Sequence, residues 1–324
     1  MDTATHVVMG VAIGGLAALD PVVAGDPAMT QAVMIGAVVG SQAPDFDTVL
    51  KLKNNAVYIR NHRGVTHSVP FWFIWPTLIT LLLYFIMPSI NLFHLWMWTF
   101  FAVFIHVFID IFNAYGTKAF APLYNKWLAL GVINIFDPFI FIAHIAAILA
   151  WRFGADPGWT FLFMFLVIVV YYFWRIFEQN QVHKAVHKQH PDATHIFTSP
   201  TFRWNRWHIV VRTQELMYVA EWKNGRLTYF ETYPFEPIPD DTVINAARKD
   251  ENLEAFLSFS PAYRWAVSLE EHGYSVKFVD LRYRSKGYYP FVAIVRLDED
   301  LNVLSSYTGW IYNTDTLRRK LSYA

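Results

Sequence analysis

The stretch VPFWFIWPTLITLLLYFIM, residues 69–87, decides the fold, because it runs for 19 positions without a charged residue. A transmembrane helix needs about 20 predominantly apolar residues. A second uncharged stretch, residues 92–109, follows after a short connector. Two long apolar segments joined so closely predict a helical hairpin that crosses a membrane.

Two more apolar segments follow. Residues 132–151 contain one charged side chain, Asp137, and residues 159–174 contain none. The composition agrees, since 55% of the 324 residues are apolar and only 16% are charged, against about 25% charged in soluble proteins. We therefore expect an α-helical membrane bundle with about four firm spans.

Two shorter apolar segments, residues 6–19 and 29–40, precede these spans. Each carries a small residue at every fourth position, a pattern that lets helices approach closely: Gly10, Gly14 and Ala18, then Ala32, Gly36 and Gly40. They are either re-entrant or packed short helices, or two short spans. Asp2 stands where a secretory signal would carry a basic residue, so we expect this region to remain in the mature protein.

The composition divides the chain. Residues 1–177 hold nearly all the long apolar runs and predict a membrane-embedded domain, 178–200 predict a polar linker, and 201–324 predict a soluble α+β domain with an antiparallel sheet. In that last part, Asn224-Gly225 separates two strand-like runs, 216–223 and 226–233. This is the strongest short-range signal for a β-hairpin.

Basic residues predict the orientation. They gather before the first long segment, after the second and after the last: Lys51, Lys53, Arg60, Arg63, Lys118, Lys126, Arg175, Lys184 and Lys188. With four spans after residue 68, all three groups lie on one side, which should be cytoplasmic. We expect a multi-pass protein of the cytoplasmic membrane with its C-terminal domain in the cytoplasm.

His106 and Asp110 are candidate metal ligands. They are four positions apart near the end of the second long segment, so they share one face of a helix. Ionisable residues in an apolar span are functional candidates by default. The alternative is a His–Asp hydrogen bond that only joins helices.

A second polar cluster lies just before the first long segment. His62 and His67 are candidate metal ligands there. Arg63 between them could hold a phosphate or a carboxylate of a substrate. The alternative is a basic loop at the membrane surface.

Asp45 and Asp47 form a third cluster, directly after Pro44. Both carboxylates could turn toward one ion, or one could act as a general base; the alternative is a simple helix cap. If the spans form hairpins, these aspartates lie at the same membrane face as the two histidine clusters. The chain contains no cysteine, so a metal there would be held by nitrogen and oxygen ligands, which suit zinc, manganese, iron or magnesium rather than a soft metal.

Four motifs then resemble a known family: THVVMG at 5–10, APDFD at 43–47, HRGVTHS at 62–68 and HVFIDIFNAYG at 106–116. Their order is similar to that of the YdjM-type family of bacterial membrane-bound metal-dependent hydrolases, and of its YfhP-type members. That resemblance implies a distant relation to zinc-dependent phospholipase C and P1-type nucleases, which cleave phosphate esters.

The resemblance also implies a ligand set. Matching positions that would bind metal or act as base are His6, Asp45, His62 or His67, His106 and Asp110. The soluble relatives hold three zinc ions with further His and Glu residues, whereas only Asp137 and His144 follow here, so we expect one or two ions. Asp137 could be a ligand or a residue at the start of a helix.

These residues and motifs suggest two alternative functions. The first is a metal-dependent hydrolase at the cytoplasmic membrane face, in contact with membrane lipids, acting on an amphiphilic, phosphate-ester or lipid-derived substrate. Asp45 or Asp47 would be the base and Arg63 would hold the substrate. The second is a membrane-anchored scaffold or regulator whose C-terminal domain binds a protein or DNA. Nucleic acid is the less expected partner, because the net charge is zero.

Overall fold

The computed structural model describes residues 1–285 and 287–322, and the chain divides into two compact units. The first unit comprises Met1–Asp47 and Arg63–Gln179. The second comprises Thr48–His62 and Asn180–Ala324. Segment 48–62 thus groups with the C-terminal half, although the composition predicts it to be part of the membrane domain.

Helices make up the first unit. In chain order they are α1 (Thr3–Leu16), α2 (Pro21–Ala24), α3 (Pro27–Gly40), α5 (Val69–Ile86), α6 (Leu92–Asp110), α7 (Pro138–Arg152) and α8 (Pro157–Gln189) as far as Gln179, with 3₁₀ segments at Ala17–Leu19, Val65–His67 and Ala43–Leu52, the last of which continues into the second unit. Helix α4 (Asn55–Asn61) belongs to the second unit.

Three helices of the described chain, α5, α6 and α8, are long and apolar enough to cross a membrane. Helices α1, α3 and α7 are apolar but shorter. The expected span over residues 132–151 is helical only from Pro138 to Arg152, so that prediction was wrong at its start. The reason is local: Asp137 accepts hydrogen bonds from the backbone NH groups of Phe139 and Ile140, and Pro138 begins the helix.

The small residues of α1 and α3 lie where the helices meet. A Cβ at Gly10 would collide with Ser41 and with the Val38 backbone, and a Cβ at Gly40 would lie 3.1 Å from the Thr99 carbonyl oxygen on α6. These glycines therefore set how closely α1, α3 and α6 approach, as the four-residue spacing predicts.

Residues 178–200, predicted to be a linker, are largely structured. Helix α8 continues to Gln189, and strand β1 covers His195–Pro200. Val182 and Val186 on the polar end of α8 are fully buried against the first sheet, in a cluster with Trp207 and Ile209. Their burial explains why a stretch rich in polar residues stays helical.

The second unit contains two four-stranded antiparallel sheets. The first is ordered β1-β2-β3-β4, with β2 at Arg206–Arg212, β3 at Leu216–Lys223 and β4 at Arg226–Pro234. The second is ordered β5-β6-β7-β8, at Tyr263–Glu270, Gly273–Asp280, Phe291–Leu297 and Val303–Trp310. Helices α9 (Thr242–Ala247), α10 (Glu251–Phe259) and α11 (Thr314–Ser322) complete it. The predicted hairpin is confirmed: Asn224 and Gly225 both have positive φ, as a two-residue type I′ turn requires.

Helix α4 packs on the second sheet of this unit. Ile59 lies against the core that includes Leu253 and Phe256 of α10. Arg60 forms an ion pair of 2.9 Å with Glu254, and the Asn55 side chain donates a hydrogen bond to the Thr308 carbonyl. These contacts explain why α4 is counted with the second unit.

Candidate metal centre

Four side chains from three parts of the first unit meet around one point. His106 and Asp110 come from the last two turns of α6, His67 from the 3₁₀ turn before α5, and Asp45 from the 3₁₀ segment after α3. One ligand atom of each lies within 4.8 Å of those of the other three. The i, i+4 spacing on α6 and the turn beginning at Gly64 thus bring residues that are 65 positions apart in sequence into one cluster.

The distances within this cluster are short and even. Nε2 of His67 and Nε2 of His106 are 3.3 Å apart. Asp110 Oδ2 lies 3.5 Å from the His67 nitrogen and 3.6 Å from that of His106. Asp45 Oδ1 lies 3.6 and 3.8 Å from the same two nitrogens.

This spacing suits a tetrahedral ion. Ligand atoms at about 2.0–2.1 Å from a tetrahedral zinc ion are about 3.3 Å from one another. The five distances above run from that value to slightly more, so a divalent ion fits the four groups with small adjustments. The histidines and Asp110 are fully buried, whereas the Asp45 side chain is 15% exposed, so solvent reaches the cluster from the Asp45 side.

The hydrogen bonds of the two rings fix which nitrogens carry protons. His106 Nδ1 lies 2.6 Å from the Ser41 carbonyl oxygen, which can only accept, so this nitrogen is the donor. Thr66 donates its single hydroxyl hydrogen to Asp47, so its oxygen accepts from His67 Nδ1 at 3.1 Å. In the neutral rings, both Nε2 atoms therefore present lone pairs to each other.

Two facing lone pairs repel unless a proton or a cation lies between them. Burial strengthens that repulsion, because water does not separate the two nitrogens. In a metal-ligating histidine, the ring nitrogen that does not bind the metal usually donates a hydrogen bond to a carbonyl or a comparable acceptor. Here those acceptors are the Ser41 carbonyl and the Thr66 hydroxyl, which is itself bound to Asp47. The arrangement of His67 and His106 is therefore what a cation would require.

Asp110 is held from several directions. Its Oδ1 accepts from the Asn113 side chain at 3.0 Å and pairs with the amino group of Met1. Arg63 Nε lies 3.2 Å from Oδ2. Within the described part of the chain, Oδ2 accepts no well-aligned hydrogen bond, which leaves its lone pairs toward the two histidines.

Arg63 lies inside the protein rather than at its surface. Only 5% of it is exposed, and besides Asp110 its guanidinium donates to the Met1 carbonyl at 3.0 Å. Its backbone has φ 59°, a left-handed conformation, and its carbonyl oxygen accepts from the backbone NH of Lys118 and the hydroxyl of Thr117. These contacts fix Asp110, and the predicted contact between Arg63 and a substrate stays a prediction.

Asp47 orients its neighbours. Its Oδ2 accepts from the Arg63 backbone NH and from the Thr66 hydroxyl, each at 2.8 Å, and 4% of the residue is exposed. It therefore holds the turn that carries His67. Asp47 and Asp45 were both candidates for the base, and this geometry favours Asp45 for that role.

His6 adjoins the cluster from α1. Its ring stacks on that of His106 with centroids 3.7 Å apart, and its Nε2 lies 3.6 Å from Asp110 Oδ1. Neither of its ring nitrogens has a hydrogen-bond partner within the described residues, although the side chain is fully buried. Such an orphaned imidazole is consistent with a second, adjacent ligand position.

Two candidate ligands are not among the four residues of this cluster. His62 follows the last turn of α4 and stacks on Tyr58 at 4.6 Å. Asp137 caps α7, and its Oδ2 accepts from the Tyr171 hydroxyl at 2.7 Å. Of the two roles predicted for Asp137, metal ligand or residue at the start of a helix, the structure shows the second.

Some residues of the site were not foreseen. Trp72 and Trp75 donate from their indoles to the carbonyls of His67 and Thr66. The Ser41 carbonyl orients His106. The sequence does not reveal which backbone carbonyl will accept a hydrogen bond. By contrast, two tryptophans within nine residues of His67 could have indicated hydrogen-bond donors near the site.

Comparison with known proteins agrees with this architecture. Residues 1–182 match the model of the family described as YdjM inner membrane protein. The chain belongs to the YdjM family. Residues 191–233 match the YfhP middle domain and 242–321 the YfhP C-terminal alpha/beta plait domain.

A curated relative matches this chain over nearly the full length of both. YfhP of Bacillus subtilis (strain 168) is 53% identical over 322 residues, which covers 99% of this YdjM family member and 98% of the relative. No solved structure matches, so the implied relation to phospholipase C and P1-type nucleases remains a prediction. The family assignment and the apolar helices make this a membrane protein.

Proposed function

We propose that this protein is a membrane-bound, metal-dependent hydrolase whose centre is formed by His67, His106 and Asp110. The observation that carries the proposal is the pair of Nε2 lone pairs 3.3 Å apart, each fixed by a hydrogen bond at the opposite ring nitrogen. Zinc suits two imidazoles and a carboxylate, and manganese is the second candidate.

Each residue of the centre has a distinct task. When bound, a divalent ion supplies Lewis acidity, which polarises a phosphoryl or carbonyl oxygen and acidifies water. Asp45, the partly exposed carboxylate, accepts a proton from the attacking water. Arg63 and Asp47 are positioning residues, since Arg63 holds Asp110, and Asp47 acts on His67 through Thr66.

The substrate class follows from the position of the centre. The ligands come from the end of α6 and from the turn that begins α5, two helices that can cross a membrane. A centre at the ends of such helices lies at the level of lipid headgroups. We propose a phosphate ester or another lipid-derived amphiphile as the substrate, at the cytoplasmic face that the basic residues predict.

Metal analysis of the purified protein tests the proposal. We expect about one equivalent of zinc or manganese in the wild type, a second where His6 also binds, and at least about tenfold less in H106A and D110A. His94 lies on the same helix, paired with Asp20 at 2.6 Å, so H94A is a matched control that should keep its metal. A wild-type protein without bound transition metal would contradict the proposal and favour the scaffold function.

A further inference from the structure

One end of the first sheet of the second unit carries basic and aromatic side chains. The loop between β1 and β2 and the turn between β3 and β4 lie side by side there, since Arg206 pairs with Lys223. Hydrogen bonds between Asn205 and Asn224, in both backbone and side chains, join the loop to the turn. Five exposed side chains of this loop and turn form what we call the basic rim: Phe202, Arg203, Trp204, Lys223 and Arg226.

The charge of the rim is positive. Neither residues 201–206 nor residues 222–226 include an acidic side chain. Glu221 lies 3.8 Å from Arg206 and offsets the charge of that residue, which leaves the three cations of the rim itself. Each basic residue near an anionic membrane surface strengthens binding to it about fivefold. Three of them at one end of a sheet therefore favour such a surface.

Two aromatic side chains stand among these cations. Phe202 is 64% exposed and Trp204 is 47% exposed. Trp207, only three positions after Trp204, is fully buried in the cluster between the sheet and α8. Exposed aromatic rings beside basic residues are typical of the level at which a bilayer meets water, where the rings lie among lipid headgroups.

The path of the chain points the rim toward the membrane. Helix α8 ends at Gln189, and β1 begins only six positions later. Because this connection is short and the sheet packs on Val182 and Val186 of the helix, β1 runs back along α8. The other end of the sheet agrees with this direction, since the ring of Tyr218 lies 4.4 Å from that of His190, just beyond the end of α8.

The lengths of the two elements give the level of the rim. The six residues of β1 extend about 17 Å, whereas α8 from Gln189 back to Asn180 measures about 14 Å. The rim therefore reaches the level of Asn180 or beyond it. The uncharged stretch of α8 ends at Trp174, about 9 Å before Asn180 along the helix. The headgroup layer beside the hydrocarbon core is about 5–8 Å thick, so the long side chains of the rim reach it.

We propose that the basic rim binds the anionic phospholipid headgroups of the membrane that α8 crosses. Arg203, Lys223 and Arg226 pair with the phosphates, and the rings of Phe202 and Trp204 lie among the headgroups. This contact attaches the second unit to the bilayer surface in addition to its covalent links. It does not depend on the metal centre, so it stands or falls separately from the hydrolase proposal.

Site-specific fluorescence quenching in the full chain tests the inference. The chain contains no cysteine, so F202C carries a single bimane label, which takes the place of the Phe202 ring. The protein is placed in nanodiscs that contain phosphatidylglycerol and a phosphatidylcholine with a nitroxide on its headgroup. Q214C, in the exposed turn at the opposite end of the same sheet, is the matched reporter. We expect quenching at position 202 to be at least about fivefold stronger than at position 214.

The charges of the rim are tested with the same reporter. Discs without phosphatidylglycerol, or the neutralised variant R203Q/K223Q/R226Q in discs that contain it, should lower quenching at position 202 at least about fivefold. An increase in ionic strength from about 0.05 to about 0.5 M should lower it as well, because salt screens exposed charges. K249Q, at an exposed basic position after α9, should leave the quenching unchanged.

Two results would overturn the inference. One is equal quenching at positions 202 and 214 in the anionic discs. The other is strong quenching at position 202 that neither the lipid composition nor the loss of three charges alters. Duplex DNA is the other polyanion that a basic surface binds, so DNA added to the same samples is a further control. A response of the label to DNA without headgroup quenching would make the rim a nucleic-acid surface and remove the proposed membrane contact.

Discussion

Asp45 and Asp110 are both carboxylates of the centre, but they differ in what surrounds them. Asp110 is fully buried and fixed by Asn113, Arg63 and the amino group of Met1. The Asp45 side chain is 15% exposed and lies on the side that solvent reaches. A ligand needs fixed geometry, whereas a base must release its proton to solvent, so the two residues suit different roles.

This difference predicts that D45N retains its metal but loses activity. Asparagine keeps the shape of the side chain and removes its capacity to take a proton. We expect hydrolysis of p-nitrophenyl phosphate to fall about 10²–10⁴-fold with little change in metal content. D110N is the comparison and should lose the metal itself. Metal loss in D45N as complete as in D110N would make Asp45 a ligand instead.

The site residues of α6 were more predictable from the sequence than those of the loops. His106 and Asp110 lie on one helix face by periodicity alone. Choosing between His62 and His67 needed the tertiary structure, because only the fold shows that His67 lies beside His106 and Asp110. The proton positions of the rings depend on the Ser41 carbonyl and the Thr66 hydroxyl, whose orientation no spacing reveals.

At the scale of elements, Glu231 connects the first sheet of the second unit to the segment between β6 and β7. From β4 it accepts hydrogen bonds from Tyr233 at 2.5 Å and from Tyr289, and it pairs with Arg284 at 3.4 Å. Partial burial of the carboxyl raises its pKa, but the hydrogen bonds and the charge of Arg284 outweigh this, so the net pKa is lowered.

A lowered pKa predicts a stabilisation that depends on pH. It is present above the unfolded-state pKa of about 4.5 and is lost as pH falls through the lower folded-state value, because the unfolded chain binds the proton more readily. E231Q should lower the free energy of unfolding of this unit by about 1–2 kcal/mol at pH 7. The difference in this free energy between E231Q and the wild type should become smaller below about pH 4.5.

The urea midpoint for loss of amide protection in β2 and β3 measures this effect in the full chain. E236Q, at an exposed position of the following loop, is the control and should match the wild type at both pH values. A difference in urea midpoint between E231Q and the wild type that stays constant from pH 7 to pH 3.5 would show that the stabilisation does not come from the carboxylate charge.

Elements with strong local signals were predictable from the sequence. The β3–β4 turn needs two positive φ angles, which Asn-Gly adopts readily, and α5 and α6 are uninterrupted apolar runs. Helix α7 was mispredicted because hydropathy alone extends it through 132–137, whereas the cap at Asp137 begins it later. The helical end of α8 depends on burial against a sheet distant in sequence.

At the scale of the whole molecule, segment 48–62 is a covalent connection between the two units, next to the residues of the centre. It belongs to the second unit, yet Asp47 before it and Arg63 after it both belong to the first and contact residues of the centre. The covalent chain therefore ties the turn that carries His67 to a segment whose stability comes from α10 and β8.

Loosening α4 should therefore weaken metal binding at the centre. In I59D a charge replaces an apolar side chain packed on Leu253 and Phe256, so amides of 55–61 should exchange at least about tenfold faster. The apparent zinc Kd, measured by chelator competition, should rise up to about tenfold, as for other changes behind a ligand. L52D, at a position 87% exposed, should change neither quantity. Fast exchange in α4 with an unchanged Kd would mean that the membrane unit holds its metal without help from the second unit.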